Sequence, residues 1–374
     1  MWRPDSPSHP FWRELQDEIE NSSPLEGGLH FRFWCQEDFW FFMRNCMSLG
    51  QLCCGDIHNQ HYGKRWLDHP WLFDRCRDFE ADPDDRLFKW PRGYFKTSII
   101  TQGGILWEHI KNPSLRTLIL TYKLVPTGES FIRGIALECE QNARLKFHWP
   151  EIFWSDPKKD ALVWTKTALD LKRTEVMTMR EPSIQVAPLD QAPTGGHFGL
   201  IQYDDCVTRE TVTNPGQAKK TFSALQQSTF LGNETTKRRY VGTYWSLDDP
   251  WQRAARQEIF TVDHQDCYQD GKPVLMSKEY LEKLERNSGR YDFNTQMRGV
   301  PISSGQRIFL NDWLQDYENE PTDEAKGKNL YMFADVAKGG GPDADYSCIA
   351  VVGLGDDNNY YLIDLRREIG RAHV

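Results

Sequence analysis

The sequence predicts an α/β fold: a mainly parallel sheet, preceded by a helical, aromatic-rich lead-in and followed by the opening strands of a second sheet. Three observations carry this reading. Short, nearly continuous apolar runs at 115–121 (LRTLILT), 199–203 (GLIQY) and 239–243 (RYVGT) are separated by helix-length stretches, the alternation that gives buried parallel strands covered by helices. Aromatic clusters at 31–34 (FRFW) and 39–42 (FWFF) stand ahead of them. A polar segment at 301–328 is followed by fresh strand patterns.

Taken in order, residues 1–80 read as helical, with polar breaks at 21–28 and 58–64. Their aromatics can pack into a core or cover another surface. Asp82-Pro83-Asp84-Asp85 is a turn signal. From Leu87 to about residue 300 the strand and helix patterns alternate. Ser303-Ser304-Gly305 and a charged stretch with Pro321 and Gly327 read as a linker. A strand pattern opens at Asn329–Asp335, and 346–353 with 360–365 reads as a hairpin around Gly355-Asp356-Asp357-Asn358-Asn359. The expected division is therefore 1–80, 81–300, a linker at 301–328, and a new domain from 329 to 367. Residues 368–374 are read as a candidate non-native tail.

Composition limits the classes. The 374 residues, at roughly 150 per domain, suit two domains. Hydrophobic content of 39% with 26% charged residues allows a packed core. No apolar run reaches the roughly 18 residues of a membrane span, and the N-terminus lacks a signal-peptide pattern, so a cytosolic chain is expected. The odd count of nine cysteines argues against a closed disulfide set. Cys53, Cys54, His58 and His61, with Cys76 beyond, are zinc-type ligands, but adjacent cysteines depart from C-x2-C spacing. Buried thiols and surface histidines are the better reading. A net charge of −9 leaves room for a local DNA-binding patch, because affinity follows local phosphate neutralisation.

Three segments carry chemistry. In Trp90-Pro-Arg-Gly-Tyr-Phe-Lys-Thr-Ser98, a lysine followed by threonine opens a helix after a strand. Backbone N–H groups and the helix dipole there suit phosphate, with Lys96 on the β and γ phosphates of ATP and Thr97 on Mg²⁺. Trp90 and Phe95 stand where the standard loop has glycines, and a Lys-Thr pair also serves as a plain helix start. In the second segment an apolar strand ends in Asp204-Asp205, placing carboxylates where open sheets bind ligands. Asp204 would hold Mg²⁺ through water and Asp205 would orient or deprotonate the attacking water; the bland reading is an acidic turn. In the third, residues 237–250 contain a strand ending in a Gly242-Thr243 turn.

Together these segments resemble the large terminase subunit of tailed bacteriophages, the motor that pumps DNA into a procapsid. The family's P-R-G/S-x-x-K-[ST] loop matches Pro91, Arg92, Gly93, Lys96 and Thr97. Its G-x-x-F-D-L-I-I-x-D-D segment is similar to Gly195-Gly-His-Phe-Gly-Leu-Ile-Gln-Tyr-Asp-Asp205. Its G-T-R-W-x-x-D-D is similar to Gly242-Thr-Tyr-Trp-Ser-Leu-Asp-Asp249, and its F-x-x-Q to Phe293 and Gln296. The resemblance implies a P-loop ATPase domain in which Arg92 handles the γ-phosphate, Gly93 shapes the loop and Thr243 follows γ-phosphate state. Asp205 is a methylene shorter than the usual Glu, and Tyr244 stands where the family has arginine.

Residues 331–348 resemble the opening of the terminase nuclease, an RNase H-like domain. Asp335 would then be the first ligand of a two-metal site (Mg²⁺ or Mn²⁺) that cleaves phosphodiesters. Asp345 reads better as a turn cap, while for Asp364 an ion pair with a neighbouring arginine and metal ligation both stay open. Only about 40 residues follow Asp335, so an incomplete nuclease is expected here. The implied partners are double-stranded DNA, the portal protein of the procapsid, a small terminase subunit and further copies in a ring, in the host cytoplasm and docked on the procapsid. Two rival readings remain: a helicase-like ATPase, and a DNA- or portal-binding protein with a degenerate nucleotide site.

Overall fold

Side chains along the central strands alternate between two separate cores. In β1 (Arg86–Lys89) Leu87 joins one and Phe88 the other; in β2 (Thr117–Thr121) Leu118 and Leu120 face opposite to Ile119. This is the two-residue period of a sheet covered on both faces. The computed structural model describes residues 3–51, 65–173, 180–193, 196–301, 323, 325–336 and 346–369.

The chain divides into two compact units, Met1–Gln306 and Arg307–Val374. In the first, β1 and β2 are joined by β3 (Ala168–Leu169), β4 (Ile184–Pro188), β5 (Leu200–Asp204), β6 (Lys237–Val241) and β7 (Thr261–His264). Their spatial order is β3-β4-β2-β5-β6-β1-β7, and all pairs are parallel except β3 with β4. The fold is thus α/β on a mainly parallel sheet. A short ribbon, β8 (Tyr268–Gln269) with β9 (Lys272–Pro273), stands apart from it. The strands expected at 115–121, 199–203 and 239–243 form within two residues of those bounds. The third stops early because Gly242 and Thr243 leave the ladder. Strands β4 and β7 had no distinct sequence signal; β7 is a short edge strand in which only Asp263 is buried.

The lead-in forms α1 (Pro10–Asn21), α2 (Pro24–Glu37), α3 (Phe39–Asn45) and α4 (Pro70–Ala81). Asp38 caps α3, accepting from the Phe41 N–H at 2.7 Å, while Arg77 pairs with it at 2.6 Å. Most of the aromatics go inward, Phe33 being exposed. Trp12, Phe39, Trp40, Phe42, Phe73 and Phe79 share one core with Phe88, Ile119 and Val241 of the sheet. Edge-to-face and tilted ring pairs, such as Phe39 with Trp107 at 5.0 Å, each add about 1 kcal/mol beyond burial.

In the second unit β10 (Asn329–Asp335), β11 (Tyr346–Leu354) and β12 (Tyr360–Ile369) form an antiparallel sheet in chain order, with β11 and β12 as the expected hairpin. Strand β12 runs into residues 368–369 of the expected tail. Most of the expected linker, Gly339–Gly341 with Asp345, and Cys53, Cys54, His58 and His61 lie outside the described residues; Cys76 is a buried free thiol.

Candidate active site

The sheet order brings the C-terminal ends of β5, β6 and β1 side by side, where ligands bind in open α/β sheets. From β1 the loop Trp90–Lys96 leads into a helix over Thr97–Gly103, wound with i→i+5 bonds, which continues as α5 (Gly104–Lys111). Such wide turns recur at functional sites. Two loop residues take positive φ, Gly93 at 82° and Phe95 at 61°. A Cβ on Gly93 would also approach the Met276 methyl at 2.9 Å. Phe95 has no such freedom and bears a cost on the order of 1 kcal/mol, while its ring packs on Trp66 at 5.6 Å. Trp90 is buried, donating from Nε1 to Asp263 at 2.7 Å and meeting Trp71 at 5.6 Å. Both departures from the glycine pattern are therefore held by aromatic partners from the lead-in.

A cleft of about 530 Å³ opens above the loop. Arg92, Gly93, Lys96, Thr97, Asp205 and Thr243 all line it, so six residues from three separated segments meet in one place. Lys96 Nζ donates to the Trp90 carbonyl at 3.1 Å. Burial pushes its pKa below the ordinary lysine value, against the pull of Asp205 and Asp204. Arg92 is exposed, and its backbone N–H donates to the Gln296 carbonyl at 2.9 Å, which docks the Phe293–Gln296 segment on the loop.

Asp204 is fully buried behind the cleft wall. Its Oδ2 accepts from the Thr101 hydroxyl at 2.6 Å, while Oδ1 has no hydrogen-bond partner. Burial and then the Asp205 charge raise its pKa to about 8, against Thr101, Lys96 and Thr97. A buried carboxyl that has one oxygen without a partner and the Thr97 side chain within its reach fits a hard divalent cation such as Mg²⁺, which takes few protein oxygens and keeps waters. Asp205 is exposed and takes φ 51°, a conformation Asp tolerates better than most residues. It turns the chain out of the strand, so that successive carboxylates serve the interior and the cleft.

Thr243 is buried at the cleft edge. Before it, Gly242 is required by close approach: a Cβ would lie 2.5 Å from Trp251 Nε1. Asp249 folds the following turn, accepting N–H bonds from Trp245 at 2.6 Å and Gln252 at 2.9 Å. Sequence reasoning missed Thr101, although it stands four residues past Thr97 on the same helix face. It also missed Trp245, whose Nε1 donates to the Val207 carbonyl at 3.1 Å, and it gave Gln296 no place in the cleft.

Asp335 ends β10 in the second unit, opposite Cys348 on β11. Asp364 pairs with Arg366 at 3.7 Å. Among the described residues no group of three or more His, Cys, Asp or Glu side chains converges as a metal site, and no helix is long and apolar enough to cross a membrane.

No family model and no curated protein matches this chain. It is similar to solved structures of the large terminase from a thermophilic bacteriophage. In one crystal form of that protein the identity is 11% and the TM-score 0.38, over 78% of this chain and 64% of that one. The form in complex with ADP gives 13% and 0.35, and that with ATP-gamma-S 10% and 0.36, each over 77% of this chain and 64% of the other. The chain thus spans less than two thirds of the length of these structures. Likeness at this level extends to neither activity nor ligand.

Proposed function

We propose that this chain is an ATP-hydrolysing motor subunit of a phage DNA-packaging terminase, moving double-stranded DNA into a procapsid. One observation carries the ATPase reading: Arg92, Lys96, Thr97, Asp205 and Thr243 line one cleft, with the unpartnered Oδ1 of Asp204 behind it. The packaging role is supported by the sequence resemblance of these same segments to the large terminase subunit.

In this reading the Lys96 ammonium leaves the Trp90 carbonyl for the β and γ phosphates, and Arg92 closes on the γ-phosphate from the exposed side. Thr97 and Asp204 would hold Mg²⁺, which supplies charge neutralisation on the phosphates when bound. Asp205, free of strand geometry, orients the attacking water and takes its proton. Thr243 follows β6, the strand between β1 and β5, and would meet the γ-phosphate side, so that loss of that phosphate relaxes its turn. DNA moves with that relaxation. Asp335 is proposed as the first ligand of a nuclease centre using two Mg²⁺ or Mn²⁺ ions. The portal protein, a small terminase subunit and further copies of the chain in a ring are the proposed partners, on the procapsid in the host cytoplasm.

ATP hydrolysis by the purified chain, with and without double-stranded DNA, tests this. The wild type should turn over ATP faster with DNA, and Lys96→Ala should abolish turnover while keeping the fold. A folded wild-type chain that neither binds nor hydrolyses ATP would overturn the reading in favour of a DNA- or portal-binding protein with a degenerate site.

A further inference from the structure

Lys89, the last residue of β1, points its side chain into the interior, where it is only 6% exposed. A lysine is rarely buried without a partner, and this one has two. Its Nζ donates to the Gly299 carbonyl at 3.0 Å and stands 3.9 Å above the Tyr244 ring. Both contacts lead to the cleft. Tyr244 directly follows Thr243. Gly299, at φ 63°, closes the helical turn Asn294–Arg298, which contains Gln296. Gln296 in turn receives the Arg92 N–H.

We propose that Lys89 is a positioning residue for ATP hydrolysis: its ammonium, between the Tyr244 ring and the Gly299 carbonyl, holds the Thr243 turn and the Gln296 segment in register with the phosphate loop. This rests on the ATPase reading above. The chain of contacts is continuous in space. Lys89 and Trp90 are consecutive, and the Trp90 carbonyl holds Lys96. On the other side the Thr243 turn is fastened by Asp249, by Trp245 to Val207, and by the Tyr291 hydroxyl, which donates to the Trp245 carbonyl. Arg86, the other charged residue of β1, turns instead to Asp82 and Asp263. A cation over an aromatic face in a desolvated site is a strong directional contact. Burial lowers the Lys89 pKa to about 8, with Asp249 opposing, so the group still carries its charge at neutral pH. A methionine of similar length would fill the space and leave both walls untied. Lys89 does not line the cleft, so its loss should spare nucleotide binding and slow the chemical step.

Steady-state ATP hydrolysis and fluorescent-ATP binding by the full chain test this, with Lys96→Ala and the wild type in parallel. Lys89→Met should lower kcat about tenfold or more, as expected for misplaced catalytic groups, with KM and nucleotide affinity within about threefold. Tyr244→Leu should reproduce that loss, Tyr244→Phe should keep wild-type turnover because the ring is retained, and the double variant should be no worse than either single one. Thermal melting verifies that each variant is folded; if Lys89→Met is not, the Tyr244 pair carries the test. An active wild type with unchanged kcat in folded Lys89→Met, additive losses in the double variant, or a Tyr244→Phe as slow as Tyr244→Leu would overturn the inference alone. A wild type that neither binds nor hydrolyses ATP would overturn the ATPase reading and this inference with it.

Discussion

Replacing Asp204 by asparagine should stabilise the nucleotide-free protein and at the same time end hydrolysis. The carboxyl is buried, and its pKa is raised from the ordinary 3.8 to about 8 by desolvation and the neighbouring Asp205 charge. At about 1.4 kcal/mol per pKa unit, its ionised form withholds at most roughly 6 kcal/mol from the folded state. The sign follows from linkage. The unfolded carboxyl ionises near pH 4 and the folded one only near pH 8, so this group's contribution falls as pH rises across that window and is level above it. Asparagine removes the slope. It can keep the Thr101 bond through its oxygen, but it sets an amide donor where Oδ1 now lacks a partner, at a cost of roughly 1–3 kcal/mol. A net gain of at most about 3–5 kcal/mol near pH 8.5, shrinking toward pH 5, is expected in urea unfolding with a chelator present. The variant should bind ATP but lose any stabilisation of the protein by added Mg²⁺. No gain near pH 8.5, or a gain that is the same at both pH values, would refute the account of Asp204 as a destabilising group kept for a ligand.

Asp205→Asn should bind ATP but turn over roughly a hundredfold or more slowly in a single-turnover assay; wild-type turnover would remove Asp205 from the mechanism. Arg239 is fully buried, pairing with Asp84 at 2.9 Å and with Glu108. Arg239→Ala should cost about 3–5 kcal/mol in urea unfolding, because it leaves Glu108 buried with only Lys237. Burial alone would raise the Glu108 carboxyl, but the Arg239 charge and Lys237 outweigh it and hold the pKa at about 2. That depressed value contributes stability above pH 4.5 which is lost as pH falls toward 2. The acid branch of the wild-type unfolding profile should therefore be steeper than that of Arg239→Ala, and equal slopes would count against the pairing.

The sequence alone determined the layered class of the fold and the chemistry available to it. The runs around Leu118–Leu120, Ile201 and Val241 are apolar on both alternating faces, and only a sheet covered on both sides satisfies that pattern. The Asp204-Asp205 pair and the Gly242-Thr243 turn were legible because each sits at the end of such a run, and the Lys96-Thr97 pair because it opens a helix after a strand. The tertiary structure alone decided that they meet. The chain order of their strands is β1, β5, β6, but in space β6 lies between the other two, a fact set by crossover connections rather than by local pattern. It also decided what the unusual loop residues do. Trp90 and Phe95 break the glycine pattern in sequence, yet Asp263, Trp71 and Trp66 receive them from well outside the loop. The roles of Thr101 and Lys89 were hidden for the same reason. A buried polar side chain is explained by its partner, and the Thr101 partner, Asp204, lies 103 residues along the chain while the Lys89 partner, Gly299, lies 210 along it. Local sequence encodes the strand and the turn; long-range packing encodes which carboxylate is dry, which oxygen lacks a partner, and which lysine is buried over a ring.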